Sequence, residues 1–156
     1  MTFQEFLEKK ATQRESKDRR ELRDEWVASV TRLLETIRRW LGESDPKKVL
    51  EVSTTNVLRH EPYLGTYEIP SLKISLGDQS IGLLPNGRLA VGVVGTHGNL
   101  GLRAEGRIDI GDGIRKCILY RTVSQGEETW YALDENFQAK PLDKARLEEI
   151  LQDFLS

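Results

Sequence analysis

Residues 72–123, LKISLGDQSIGLLPNGRLAVGVVGTHGNLGLRAEGRIDIGDGIRKCILYRTV, alternate short apolar runs with tight-turn dipeptides. The dipeptides fall at Gly77-Asp78, Asn86-Gly87, Gly98-Asn99 and Asp112-Gly113, and Gln125-Gly126 follows just beyond. Asn-Gly and Asp-Gly favour type I′ turns, whose twist matches that of a hairpin. Between the turns, Leu72, Ile74 and Leu76 share one face of a strand, as do Leu89, Val91 and Val93. Leu100, Leu102, Ala104, Ile108 and Ile110 continue the theme opposite Arg103, Glu105, Arg107 and Asp109. Ile114 to Val123 is apolar on both faces in places, as a central or covered strand would be. Trp130 to Leu133 closes the series.

Upstream, Val52 to Leu58 is rich in Val and Thr and reads as a strand. Tyr67 to Leu76 reads as another, and Pro70 within it predicts an edge position or a bulge. The whole predicts an antiparallel meander of about six or seven strands, with one face buried and one wet. Such a sheet is strongly twisted or rolls into a half-barrel.

Outside the meander the chain is helical. Thr2-Phe3-Gln4-Glu5 has the pattern of a capping box, and neither Gly nor Pro follows until Gly42. Glu5 with Lys9, Arg14 with Asp18, Glu15 with Arg19, Lys17 with Glu21 and Arg20 with Asp24 are opposite charges at i,i+4. Each such pair adds about 0.2–0.5 kcal/mol, enough together to hold a polar helix in water. Gly42 suits a C′ position, and Pro46 forbids simple continuation. Asp45-Pro46 then reads as an N-cap and first residue of a single helical turn reaching about Leu50. At the far end, Asp143 is a fitting N-cap, Leu142 and Leu147 form a hydrophobic staple, and Leu147, Ile150, Leu151 and Phe154 form one face. That helix is expected on the sheet.

The N-terminal helix has two unlike halves. Residues 2–25 are dominated by charge, whereas 26–41 are amphipathic. Trp26, Val30, Leu33, Ile37 and Trp40 make a stripe that Val27, Leu34 and Leu41 widen beyond a two-stranded coiled-coil seam. Docking on the chain's own sheet is the first reading of that stripe, and a dimer or partner interface is the second. The breadth of the stripe allows both. A helix over this span is about 60 Å long at 1.5 Å per residue, while the remaining chain makes a body about 35 Å across. The charged half is therefore expected to overhang.

Composition narrows the class. The chain has 156 residues, 31% of them charged, and a formal net charge of -2, so no global field recruits nucleic acid or an anionic membrane. The single cysteine, Cys117, excludes an intrachain disulfide and fits a reducing compartment. No apolar run reaches a membrane span, and MTFQEFLEKK is too polar for a signal-peptide core. A soluble, cytoplasmic protein with no membrane partner is expected.

Chemistry-bearing motifs are sparse. Gly95-Thr96-His97-Gly98-Asn99-Leu100-Gly101 has the glycine spacing of a phosphate loop, but no helix follows to receive the phosphate, so it reads as a hairpin tip. His60 beside Glu61-Pro62 reads as a loop residue, and Cys117 as an inert core thiol. Glu105, Asp109, Asp112 and Asp78 lack the pattern of a nuclease metal site, and Arg103, Glu105, Arg107 and Asp109 read as a solvated row with cross-strand ion pairs. Lys10, Arg14, Lys17 and Arg20 are the candidate nucleic-acid contacts, but Glu8, Glu15, Asp18 and Glu21 nearly cancel them and no aromatic stands among them.

The fold expected is α+β: a helical arm over 1–43, then an antiparallel sheet domain with a C-terminal helix over 44–156. The function expected is that of a non-enzymatic intracellular protein-interaction module, with no cofactor, metal or catalytic set. It self-associates or joins a larger complex through the N-terminal helix, with Trp26, Val30, Leu33, Ile37 and Trp40 as the interface. The rivals are a nucleic-acid-associated accessory protein using the basic side of the arm, and an enzyme with a site on the sheet.

Overall fold

The computed structural model describes residues 1–88, 93–94 and 102–156, and for 12–17, 93–94 and 102–103 the backbone alone. The fold is α+β. Helix α1 (Phe3–Ser44) is followed by strands β1 (Glu51–Glu61), β2 (Gly65–Leu76), β3 (Gln79–Gly87), β4 (Val93–Val94), β5 (Leu102–Arg103), β6 (Arg107–Gly111), β7 (Lys116–Ser124), β8 (Glu127–Leu133) and β9 (Ala139–Pro141), then helix α2 (Lys144–Leu155). Seven strands form one antiparallel sheet in the order β1-β2-β3-β6-β7-β8-β9, twisted but not closed, and β4 pairs with β5 separately.

The starts of both helices follow from their sequence, whereas α1 runs through Gly42 to Ser44 instead of stopping at the glycine. Thr2 Oγ1 accepts from Glu5 N at 3.1 Å while Glu5 Oε2 accepts from Thr2 N at 3.3 Å, completing the capping box. Asp143 Oδ1 accepts from Arg146 N at 2.7 Å, and Leu147 above it is buried. The segment after α1 differs from expectation. It is a turn rather than a helical one: Lys48 takes φ +53, and the Asp45 carboxylate accepts from Val49 N and Leu50 N at 2.9 and 2.8 Å. A carboxylate that satisfies these two amides removes the reason to coil.

Two turns take the geometry their residues favour. Gln125 and Gly126 both have positive φ, +52 and +79, as a type I′ turn requires. Gly77 alone is positive at the preceding hairpin, which is the type II′ arrangement. The Asn86-Gly87 expectation fails, because β3 runs straight through both residues with only a register shift between Pro85 and Gly87. Gly98-Asn99 and the glycine-spaced motif around it lie outside the described residues.

The core lies between the sheet and the two helices. Trp26, Val30, Leu33, Leu34, Ile37 and Leu41 of α1 pack with Leu72, Ile74, Ile81, Leu83, Ile108, Ile110 and Leu119 of the sheet and with Leu147, Ile150, Leu151 and Phe154 of α2. Removing a side chain of this size from water contributes roughly 1.5–3 kcal/mol. The second half of α1 is therefore as much a part of the sheet domain as any strand.

Strand β2 carries an irregularity that shapes the sheet. Tyr67, Ile69 and Ser71 are buried, and then Leu72 and Ile74, so the buried face changes between Ser71 and Leu72. Pairing with β3 begins at that same Leu72. Pro70 lies in the half of β2 that is bonded only to β1, where a missing N–H is tolerated on the open side. Beyond that point the β1–β2 hairpin curls over the end of β3, and Arg59 Nε donates to Pro85 O at 2.7 Å.

Candidate functional site

Helix α1 meets the rest of the chain through a polar clamp. Arg121 projects inward from β7 and is buried. Its Nε lies 2.5 Å from Glu128 Oε1 on β8, its Nη2 lies 2.7 Å from Glu25 Oε1 on α1, and its Nη1 donates to Glu105 O at 3.1 Å. Ser29 donates to the same Glu128 carboxylate, and Arg32 Nη2 adds a contact at 3.3 Å. Burial by itself would raise the Glu128 pKa, but hydrogen bonds from Ser29 and Arg121, with the Arg121 charge, outweigh it and hold the carboxyl below its ordinary range. The sequence gives no sign of this clamp, since Arg121 stands in an apolar run and its partners are remote.

Beside the clamp, Trp26 rests on backbone. A Cβ on Gly106 would stand 2.2 Å from Trp26 Cζ3, and Gly106 takes φ +154, so only glycine serves there. The Trp26 ring also meets Trp130, with centroids 6.1 Å apart. On the same side, Tyr67 donates to the buried Glu61, whose carboxylate accepts from Arg88 N at 3.2 Å. Burial, then the hydrogen bond to Glu61 and its charge, push the Tyr67 phenol far above its ordinary value.

Four of the five stripe residues, Trp26, Val30, Leu33 and Ile37, are thus spent inside the chain's own fold. Trp40 is half-buried and, with Arg32, Thr36, Trp130 and Leu142, lines a shallow cleft of about 280 Å³. The last contacts of α1 toward its N-terminus are with the β1–β2 turn. Arg23 Nη1 donates to Leu64 O at 3.3 Å, and the Arg19 guanidinium lies 5.9 Å from the centroid of the Tyr63 ring.

Before that point the described side chains of the helix face solvent. Residues 1–11 and Asp18 are exposed, including Phe3 at 75%, Phe6 at 43% and Leu7 at 48%. Phe3 and Phe6 stack on one another, 6.4 Å between centroids. Of the candidate nucleic-acid contacts, Lys10 and Arg20 are exposed, while the Arg14 and Lys17 side chains lie outside the described residues.

Among the described residues the candidate catalytic groups do not assemble. Cys117 lines a cleft of about 620 Å³ between α2 and the ends of β7 and β8, with Asp134, Arg146 and Phe154. Its Sγ donates to Leu133 O at 3.5 Å, and burial pushes the thiol up, opposed by the Arg146 charge. A thiol so held is protonated at neutral pH and is a poor nucleophile. His60 is a strand residue rather than a loop residue, with Nδ1 2.9 Å from Thr66 Oγ1, and three strands separate it from Cys117. His97 lies outside the described residues. Among the described residues no three His, Cys, Asp or Glu side chains gather as a metal site would require.

Of the charged row, the Arg103 side chain lies outside the described residues, and the ion pair seen is along a strand rather than across strands. Arg107 Nε meets Asp109 Oδ1 at 2.7 Å on β6 itself, while Glu105 uses its backbone to bond Arg121 O. Among the described residues no helix is long and apolar enough to cross a membrane. Comparison of the chain with protein-family models, with curated proteins and with solved structures finds no match.

Proposed function

We propose that this protein is a non-enzymatic interaction module that joins another protein through the N-terminal arm of α1, residues 3–18. One observation carries the reading: the arm is helical and bears a cluster of exposed apolar side chains at its tip. Phe3, Phe6 and Leu7 sit at i, i+3 and i+4, the spacing by which a helix lays side chains into a groove of a partner. The mixed charges that follow keep the helix formed and soluble while it reaches outward. The contact surface lies on the arm because the apolar stripe of residues 26–41 is largely occupied by the sheet.

The experiment compares the intact chain with a Phe3→Ala/Phe6→Ala variant, both tagged and recovered from the native host. The reading expects a protein that the intact chain retains and the variant loses, with both chains melting alike. Identical companions for the two chains would overturn it. Binding to duplex or single-stranded nucleic acid that fades steeply with salt would favour the nucleic-acid rival instead.

A further inference from the structure

The two edges of the sheet are built differently. Strand β9 has three residues, Ala139-Lys140-Pro141, so its edge is short and carries both a lysine and a proline. Short length, lysine and proline each discourage another strand from pairing there. Among the described residues, strand β1 is an edge of 11 residues, bonded to β2 alone in a continuous ladder from Glu51 to Glu61. It has no proline, no lysine and no bulge, and α1 packs mainly over β2, reaching β1 through Arg38 Nη1, which donates to Thr54 Oγ1 at 2.9 Å.

The sequence of β1 is complementary to itself. Lay two copies antiparallel with Thr55 opposite Thr55. Glu51 of each copy then faces Arg59 of the other, Val52 faces Leu58, Ser53 faces Val57, and Thr54 faces Asn56. Opposite charges and apolar pairs directly across a ladder are the favourable combinations. Nine residues overlap, exchanging about eight to ten main-chain hydrogen bonds. Glu51, Ser53, Thr54, Thr55 and Asn56 are all exposed, and the Arg59 guanidinium, held by Nε to Pro85 O, has Nη2 left for the Glu51 of a second copy.

The change of buried face in β2 gives this register a further advantage. Val52 lies opposite the buried Ile74, on the core side of the sheet. Leu58 has the same parity but lies opposite exposed Glu68, beyond the switch, and is 65% exposed. Antiparallel pairing lays each exposed Leu58 against the core-side Val52 of the other copy. The apolar residue that one chain leaves in water is covered by the second.

We infer that β1 is a self-pairing edge: two copies of this chain join through antiparallel β1 strands related by a two-fold axis at Thr55. This interface is independent of the arm. Sedimentation across a wide concentration range should show a monomer–dimer equilibrium. Thr55→Lys places like charges on the axis and should weaken it roughly fivefold or more, with unchanged thermal melting because Thr55 is exposed.

Register is read separately in a Cys117→Ser background. Opposed Cα atoms on paired strands fall within disulfide reach. Thr55→Cys should therefore crosslink on mild oxidation, whereas Ser53→Cys, which faces Val57, should not. A monomer at every concentration, or equal crosslinking from Thr55→Cys and Ser53→Cys, overturns the inference. A dimer that survives Thr55→Lys but vanishes when residues 1–20 are removed also overturns it, while leaving the arm reading standing.

Discussion

Arg121 Nη2 on β7 lies 2.7 Å from Glu25 Oε1 on α1, the point at which the long helix is fastened to the sheet. The arginine is almost fully enclosed, whereas Glu25 is about half exposed, with 47% of its side chain accessible. Its charge is shared with Glu128, which is itself largely enclosed. Replacing Arg121 by Met keeps the bulk and removes the charge, leaving Glu128 with Ser29 and Arg32 alone. Breaking one side of a buried pair costs about 3–5 kcal/mol, and the exposure of Glu25 places this case at the lower end. Urea unfolding of Arg121→Met against the parent measures it, and a loss under about 1 kcal/mol would show the clamp to be dispensable.

Gly106→Ala should be among the most damaging single-methyl additions in the chain. Overpacking costs about 1–3 kcal/mol, and a non-glycine residue held at positive φ costs about 1–3 more. Trimming the obstruction with Trp26→Phe should return part of that loss, so the two changes should be strongly non-additive in a double-mutant cycle. Simple additivity would mean that the Trp26 ring does not press on Gly106.

Acid should loosen the clamp. The folded-state pKa of Glu128 is depressed, so its contribution is present above the ordinary value of 4.5 and is lost as pH falls through the lower, folded value. Thermal melts from neutral pH downward should show stability falling below about pH 4.5. Glu128→Gln should be less stable at neutral pH and flatter in that acid window. A parallel fall in both proteins would assign the acid sensitivity to other carboxyls.

Alkali acts at Tyr67 with the opposite sense. Its pKa is raised from 10.0, so the neutral phenol is favoured in the fold. Stability is retained below pH 10 and declines above it, as the unfolded chain ionises more readily than the native one. Tyr67→Phe should remove this alkaline component, seen as a shallower decline of the urea midpoint above pH 10. An unchanged slope would place the sensitivity elsewhere.

Removal of residues 1–20 should leave a cooperatively folded protein, because residues 1–11, Asp18 and Arg20 are exposed and Arg19 meets the body at the Tyr63 ring. The melting temperature should move by no more than a few degrees, the scale of a loss near 1 kcal/mol in a chain of this size. Loss of cooperative melting would show that the arm packs on the rest of the chain.

The sequence was most legible where each local signal had one physical solution. The capping box at Thr2 and Glu5, the N-cap at Asp143 and the I′ turn at Gln125-Gly126 all bear out the reading of their residues. The alternation of Leu72 and Ile74, or of Ile108 and Ile110, places the buried face correctly. Asn86-Gly87 misled because a turn dipeptide only permits a turn, and here Asn86 and Gly87 continue β3 toward Glu61. The clamp was invisible because Arg121, Glu25 and Glu128 are joined only by the fold. The same holds for the β1 edge: its residues read as a plain strand, and its openness depends on which strands happen to be its neighbours.

The unbroken course of α1 has a mechanical consequence. There is no glycine or proline between Phe3 and Leu41 to serve as a hinge. From Arg19, which meets the Tyr63 ring, to Phe3 the helix forms a lever about 24 Å long, at 1.5 Å per residue. A sideways load on the tip therefore reaches the Arg19, Arg23 and Arg121 contacts as a torque scaled by that length. The joint that yields first is the one at the sheet, not the rod.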